Sequence, residues 1–251
     1  MRHGYEDRGA VLTTVADVVA IRSEPMLPCL SRSCGRIHSA KAPRGGASRD
    51  RGLVLAAGEG RRFGGSKLIA ELDGSPLLEH VLSAMSATSV DRVVCVLGAG
   101  ADETLRRVDL HGAEPVLCEG WKEGQAASLR AGIEALAEAE AIVIVLGDQP
   151  LLSPAAVERV LAARGGGALA VRATHGNVPS HPTPVERPLF DAMRELRGDR
   201  GAQDLLGRVE TGEVACDGLG SAADVDTVDD LAALGQRRAK AIGLQTQEKP
   251  T

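Results

Sequence analysis

From residue 52 onward the apolar positions fall into short aliphatic runs separated by stretches of helical spacing. Residues 53–57 (LVLAA), 92–97 (RVVCVL), 114–118 and 141–146 (AIVIVL) read as buried strands, short and bounded by glycine, proline or charge. Leu77, Leu78, Val81, Leu82 and Met85 recur at helical spacing and predict a helix over 76–88. Further helices are predicted over 101–108 and 124–139. Ser153 followed by Pro154 predicts an N-cap and first turn of a helix reaching 163. A further strand is expected over 168–172, with helices over 188–196 and 202–206. A last helix follows Thr227 and runs to about residue 240. The chain carries no internal repeat.

Strands alternating with helices predict a mostly parallel sheet covered on both faces, a Rossmann-like three-layer α/β domain spanning 51–240. Ligands of such sheets bind outside the carboxyl ends of the strands. The loops after Ala57, Leu97 and Leu146 are therefore where chemistry is expected. Residues 1–50 have a different texture. An apolar stretch over 11–21 gives way to a segment rich in Arg, Ser, Gly and Pro with no period. That composition predicts a disordered or loosely attached extension. A translation start placed too far upstream, or a basic anchoring segment, gives the same appearance. The polar tail over 241–251 is expected to fray.

Composition sharpens this picture. Tyr5, Phe63, Trp121 and Phe190 are the four aromatic residues, so a hydrophobic fraction of 43% rests on Ala, Val, Leu and Ile. Such a core suits helices packed on parallel strands. The net charge of −5 comes without a basic stripe, which argues against a nucleic-acid partner. No apolar run approaches the ~20 residues that span a bilayer, and Asp17 and Arg22 interrupt the N-terminal apolar stretch. No membrane partner is expected, and the cytoplasm is the expected compartment. The cysteines, Cys29, Cys34, Cys95, Cys118 and Cys216, are odd in number and irregularly spaced. Cys95 and Cys118 read as small buried thiols, and Cys29 with Cys34 lacks the second half of a zinc site. A reducing compartment follows.

The loop after the first strand is the most informative segment. Residues 53–68 read LVLAAGEGRRFGGSKL, with Gly58, Gly60, Gly64 and Gly65 interleaved with Arg61, Arg62 and Lys67. Glycines bring backbone N–H groups close to a ligand, and cations beside them suit phosphate oxygens. Two standard phosphate loops are excluded. The Walker pattern fails because Ser66 precedes Lys67, and the dinucleotide pattern fails at Phe63. Gly98 and Gly100 make a second half-match that fails at Glu103.

Two carboxylate groups stand out. Asp148 lies two residues past the strand over 141–146, where it either holds a hard cation or opens a turn before Pro150. The glycine loop favours the cation. Asp224, Asp226, Asp229 and Asp230 cluster where the last helix begins. Acids there are favoured by roughly 0.3–1 kcal/mol each without any function, and Asp226 or Thr227 is the expected N-cap.

LAAGEGRRFGGSKL resembles the signature L-A-A-G-x-S-x-R-x-G-x-x-K-L of nucleotidyltransferases related to molybdenum cofactor cytidylyltransferase. It is similar more broadly to the superfamily that includes molybdenum cofactor guanylyltransferase and the sugar-phosphate nucleotidyltransferases. The resemblance covers roughly residues 52–235 and implies a fold of the nucleotide-diphospho-sugar transferase type. It implies that Leu55, Ala56, Ala57 and Gly58 hold the nucleotide, and that Arg62 and Lys67 contact its phosphates. Gly60 stands where Ser is usual, so no side-chain role passes to it. GDQP around Asp148 resembles the segment with the family's magnesium-binding aspartate. ADVDTVDDL resembles D-x-D-T-P-E-D-L, which passes a second metal role to Asp226 first and Asp224 second, with Val228 in place of Pro.

Residues 118–132 resemble W-x-x-G-x-x-x-S-L-x-x-G, which places Gly124 and Ser128 against base and ribose. By residue type alone, Ser128 is an ordinary helix residue and Trp121 a core or lid anchor. Residues 176–206 resemble the cytidylyltransferase pattern G-x-P-x-H-P followed by G-D-x-G-A. His181 then either acts as a general base or, with Pro182, shapes the acceptor pocket, and the second role is preferred. Asp199 either orients the acceptor or caps a turn.

The resemblance implies Mg²⁺-dependent transfer of a nucleotidyl group, CMP from CTP, to molybdopterin or another phosphorylated acceptor, with pyrophosphate released. Lys67, Arg62 and Asp148 are the expected catalytic residues. LAAG, with Ala57 third, is nearer the cytidylyl branch than the LAGG of the guanylyl branch. A molybdoenzyme partner is a further implication. Two rival readings are a cytidylyl- or uridylyltransferase for a sugar or polyol phosphate, and a non-catalytic factor that binds cofactor for a molybdoenzyme.

Overall fold

The computed structural model describes residues 50–199 and 201–247. The expected N-terminal extension, its apolar stretch, Cys29 and Cys34 lie outside the described residues.

The first strand, β1 (Asp50–Ala56), sits mid-sheet between β4 (Arg92–Leu97) and β6 (Ala141–Leu146), parallel to both. Beyond β4 lies β5 (Glu114–Leu117), again parallel. The chain thus builds outward from β1 on one side, then returns to its other side. Such a reversal opens a crevice at the carboxyl ends of the strands, here those of β1 and β6.

The other half of the sheet is mixed. Here β9 (Thr183–Glu186) runs antiparallel to β6 and to β7 (Ala170–His175), whose far neighbour β10 (Thr211–Ala215) is parallel to it. Hairpin strand β8 (Val178–Ser180) folds back on β7. The expectation of a mostly parallel sheet fits the β6–β1–β4–β5 half. In the other half, the apolar pattern does not predict β8, β9 or β10, because proline and polar residues break their apolar runs. The strand expected over 168–172 begins later, since the Gly165–Gly167 run delays β7 to Ala170. A small hairpin, β2 (Glu71–Leu72) and β3 (Ser75–Pro76), turns on Asp73 and Gly74, both at positive φ. Asp-Gly is the local signal for that turn.

Side-chain alternation along the strands builds two cores. On one face, Val54, Cys95, Val143 and Val145 meet Leu78, Val81, Leu82 and Met85 of α1 (Leu77–Ser86). On the other, Leu53, Val94, Ile142 and Ile144 meet Leu129 and Ile133 of the helix over Gln125–Ala135. In chain order the helices are α2 (Ala101–Arg107), α3 (Gln125–Ala135), α4 (Pro154–Ala162), α5 (Phe190–Arg194), α6 (Gly201–Leu206) and α7 (Val228–Gln247). Ser153 caps α4 as expected, its side chain accepting from the Ala155 N–H. Helix α7 continues past the expected end near residue 240. Cys95, Cys118 and Cys216 are buried free thiols, and burial pushes the Cys95 thiol up to about 12. No helix of the described residues is long and apolar enough to cross a membrane.

Candidate active site

The glycine-rich loop leaves the carboxyl end of β1 and turns back toward β6. Gly60 sits at φ 68, in the left-handed region, and a Cβ there would lie 2.6 Å from the Gly65 carbonyl oxygen. Only glycine permits that closure. The closed loop presents Lys67 inward. Its Nζ lies 2.7 Å from Asp148 Oδ2 and 3.2 Å from Asp226 Oδ1, while Arg62 donates to Asp226 Oδ2 at 2.9 Å. Burial alone would lower the Lys67 pKa, but the facing carboxylates of Asp148 and Asp226 outweigh it and raise it above the usual lysine range. Asp148 Oδ1 is buried and has no hydrogen-bond partner. A buried carboxylate oxygen without a donor lacks a stabilising partner.

The two aspartates meet because the backbone staples their segments together. The Val225 N–H donates to the Asp148 carbonyl at 3.0 Å. Val225 is buried, so Asp224 and Asp226 flank an anchored residue. Thr227, not Asp226, caps α7. The Asp230 carboxylate accepts from the Thr227 N–H and hydroxyl, both at 2.8 Å, and the Asp230 N–H returns to Thr227 Oγ1 at 3.1 Å. This reciprocal cap leaves the Asp226 carboxylate to Lys67 and Arg62. Hydrogen bonds from Thr227 hold the Asp230 carboxyl below its ordinary range. Asp224 is engaged elsewhere, accepting from Gln149 Nε2 at 2.8 Å. Burial raises its pKa, with Asp148 and Asp226 adding to the rise. Among the described residues no group of three or more His, Cys, Asp or Glu side chains converges here, so a cation at this site would rest on two carboxylates, as Mg²⁺ beside phosphates commonly does.

Two cavities share the crevice. The first, of about 480 Å³, is lined by Ala57, Gly58, Arg62, Lys67, Trp121, Gly124, Ser128, Asp148 and Asp226. Leu55, Gln125, Leu146 and Asp199 form a wall common to it and to a second cavity of about 470 Å³. Of the residues assigned to the nucleotide by resemblance, Ala56 alone lies off the first cavity. Its methyl group packs in the core on the α1 side, because it alternates with Leu55 and Ala57. Gly124, at φ 109, brings α3 against the 198–199 segment. A Cβ at Gly124 would lie 2.5 Å from Asp199 Oδ1, and that oxygen accepts the Gln125 N–H at 3.0 Å. The Asp199 carboxylate therefore satisfies the first N–H of α3 while lining both cavities.

The second cavity lies beside β6–β9–β7, with Leu129, Ile144, Met193 and Leu206 as apolar walls. His181 lines it, joined to Pro182 by a cis peptide bond. The ring Nδ1 donates to the Ile144 carbonyl at 3.2 Å, which leaves Nε2 as an acceptor. Burial pushes the imidazole down to about 4. Pro182 itself does not line the cavity; its carbonyl accepts from the Ala173 N–H at 3.1 Å, so it fixes the chain turn. Gln149, inside the GDQP segment, and Arg172 also line this cavity, and neither carries a role assigned from the sequence. For Arg172 a signal exists in the sequence: a charged residue inside the aliphatic run ALAVRA.

The MobA-like NTP transferase domain family matches residues 52–214. The chain is 30% identical to nicotine blue oxidoreductase of Paenarthrobacter nicotinovorans, over 72% of this chain and 93% of that protein. It is 28% identical to the bifunctional protein GlmU of Rhodospirillum rubrum over 66% of this chain, but spans only 38% of that longer protein. Among solved structures it is similar to Rv0371c of Mycobacterium tuberculosis H37Rv, at 31% identity and TM-score 0.70, covering 76% of this chain and 99% of that one. Rv0371c has also been crystallised with manganese, a structure matched at 29% identity and TM-score 0.65 over 74% of this chain and 98% of that one. With a glycine loop, an inward lysine and two facing aspartates at the switch point of its sheet, the chain belongs to the MobA-like NTP transferase family and is a nucleotidyltransferase.

Proposed function

We propose that the chain transfers CMP from CTP to a phosphorylated acceptor, molybdopterin or the molybdenum cofactor, and releases pyrophosphate. The observation that carries this reading is Lys67 Nζ set between Asp148 and Asp226, in a polar cavity that shares a wall with a second, more apolar one. The polar cavity suits the triphosphate and the apolar one an organic acceptor. The cytidylyl preference rests on the LAAG form of the loop.

The acceptor's phosphate is its own nucleophile. A phosphomonoester has a second pKa of about 6 and is a dianion for the most part at pH 7. One of its oxygens forms a bond to the α-phosphorus as the bond from that phosphorus to the bridging α,β-oxygen breaks, and the electron pair leaves with pyrophosphate. No proton has to be removed first. A neutral His181, with its imidazole near 4, has no protonation duty in this step. Catalysis becomes positioning and charge neutralisation. Lys67 and Arg62 stabilise charge on the phosphates and on the departing pyrophosphate. Leu55, Ala57, Gly58, Gly124 and Ser128 hold base and ribose, and Asp199 stands at the wall between the two substrates.

Asp148 and Asp226 fit a divalent cation, because a buried carboxylate oxygen of Asp148 has no partner within the protein. When bound, Mg²⁺ would act there as a Lewis acid on phosphate oxygens. The manganese structure of Rv0371c supports a divalent ion in this family.

The test is pyrophosphate release with Mg²⁺ or Mn²⁺, screening CTP, GTP, ATP and UTP against molybdopterin and a panel of sugar and polyol phosphates. The proposal expects release with CTP and the pterin, lost in Lys67→Ala. Release with a sugar phosphate alone would reassign the acceptor. The resemblance to nicotine blue oxidoreductase adds one arm: reduction of nicotine blue by an added hydride donor with no triphosphate present, together with no pyrophosphate in any pairing, would replace the transfer reading.

A further inference from the structure

The second cavity contains a cation without an ion-pair partner among the described residues. Arg172 stands in the middle of β7 and lines the cavity. Its Nε is buried with no hydrogen-bond partner, and among the described residues no carboxylate forms an ion pair with it. Arg164, also half-buried but in the turn after α4, is by contrast paired, lying between Asp50 and Glu186. Two carboxylates line the same cavity and a third belongs to the register partner of Arg172, yet none of them forms an ion pair with it. Asp199 accepts from the Gln125 N–H and Asp224 from Gln149, while Glu213, its register partner on β10, stays exposed. Besides burial, the larger cause, the charge on Arg172 helps hold the His181 imidazole down.

A half-buried guanidinium whose buried Nε has no partner carries a desolvation cost that a bound anion reduces. Its planar fork suits the paired oxygens of a carboxylate, phosphate or similar oxyanion. The phosphate that reacts belongs at Lys67 and Asp148, beyond the Leu55–Leu146 wall. The geometry points to Arg172 as the specificity residue for a second anionic group on the acceptor, at the end away from the reacting phosphate. The acceptor class is then an apolar or aromatic body with an oxyanion at each end. Assigning the group to an acceptor rests on the nucleotidyl-transfer reading; the anion preference of the cavity does not.

The test is a calorimetric titration of the full chain saturated with α,β-methylene-CTP, a triphosphate analogue that resists transfer. The probes are 2-naphthoate, 2-naphthyl phosphate and 2-naphthamide, alike in body and differing in charge. The two anions should bind about 10- to 100-fold more tightly than the amide. Whichever anion shows the larger margin identifies the oxyanion that Arg172 takes. Arg172→Gln should erase the margin, and Arg172→Lys should restore part of it. Equal binding of all three probes, binding of none, or a margin that survives in Arg172→Gln overturns the inference. No turnover is involved, so a chain inactive in pyrophosphate release would still show the margin or lack it. With an active acceptor, Arg172→Gln should raise the acceptor KM by about 10- to 100-fold and leave the CTP KM unchanged. An unchanged acceptor KM in an active enzyme sinks this inference alone.

Discussion

The two cavities at the carboxyl edge of the sheet are nearly equal in volume, about 480 and 470 Å³, and opposite in electrostatic design. In the loop-side cavity the charges answer one another, Lys67 and Arg62 against Asp148 and Asp226. In the other, Arg172 has no ion-pair partner among the described residues, the imidazole is neutral, and the carboxylates of Asp199 and Asp224 are hydrogen-bonded to Gln125 and Gln149 instead. Paired charges can be exchanged for phosphate and a divalent ion without leaving bare charge behind in the free protein. An unpaired charge instead waits for a ligand that supplies the missing sign. On the proposed reading the first arrangement serves a reaction and the second serves recognition.

Breaking the charged side should give the largest effects. Lys67→Ala or Asp148→Asn is expected to lower kcat by about 100- to 1,000-fold, the scale of a lost transition-state donor. Pyrophosphate release on folded protein checks this, and a loss under about 5-fold would remove these side chains from the chemistry.

The next effect belongs to the recognition side. The His181 imidazole lies near 4 in the folded chain, against an ordinary value of 6.5. The unfolded chain therefore binds more protons between those values, and stability falls as pH drops from 6.5 toward 4. The expected loss is on the order of 2–3 kcal/mol, present in the wild type and much reduced in His181→Gln. Denaturant melts at about pH 7 and about pH 4.5 measure it, and parallel losses in the two proteins would contradict it.

Gly124→Ala sharpens the wall between the cavities. Strain at φ 109 and contact with Asp199 should cost about 1–3 kcal/mol, read as a lowered Tm. The smallest effect is expected at the α7 cap. Asp230→Ala should cost about 1 kcal/mol and leave most activity, because Asp226 stays stapled through Val225.

The same division governs what the sequence discloses. The loop-side site is legible because its signals are local: an aliphatic strand, glycines with interleaved cations, and an aspartate just past another strand. The pairing of Asp226 with Lys67, 159 positions apart, is legible only through family resemblance. The recognition side is obscure because β8 and β9 carry Pro179 and Pro184, residues that argue against strands. Without those strands Arg172 has no cavity to face. Asp199 shows the remaining limit. Its two readings, capping and acceptor placement, are set by one tertiary contact with α3 and by a wall shared between cavities.

Phosphorus NMR of the complete reaction tests the central claim most directly. With CTP, a divalent cation and the active acceptor, the account predicts one inorganic pyrophosphate for each new diphosphate linkage joining CMP to the acceptor, and neither product in Lys67→Ala. Orthophosphate in place of the linkage, or consumption of CTP with the acceptor unchanged, would contradict it.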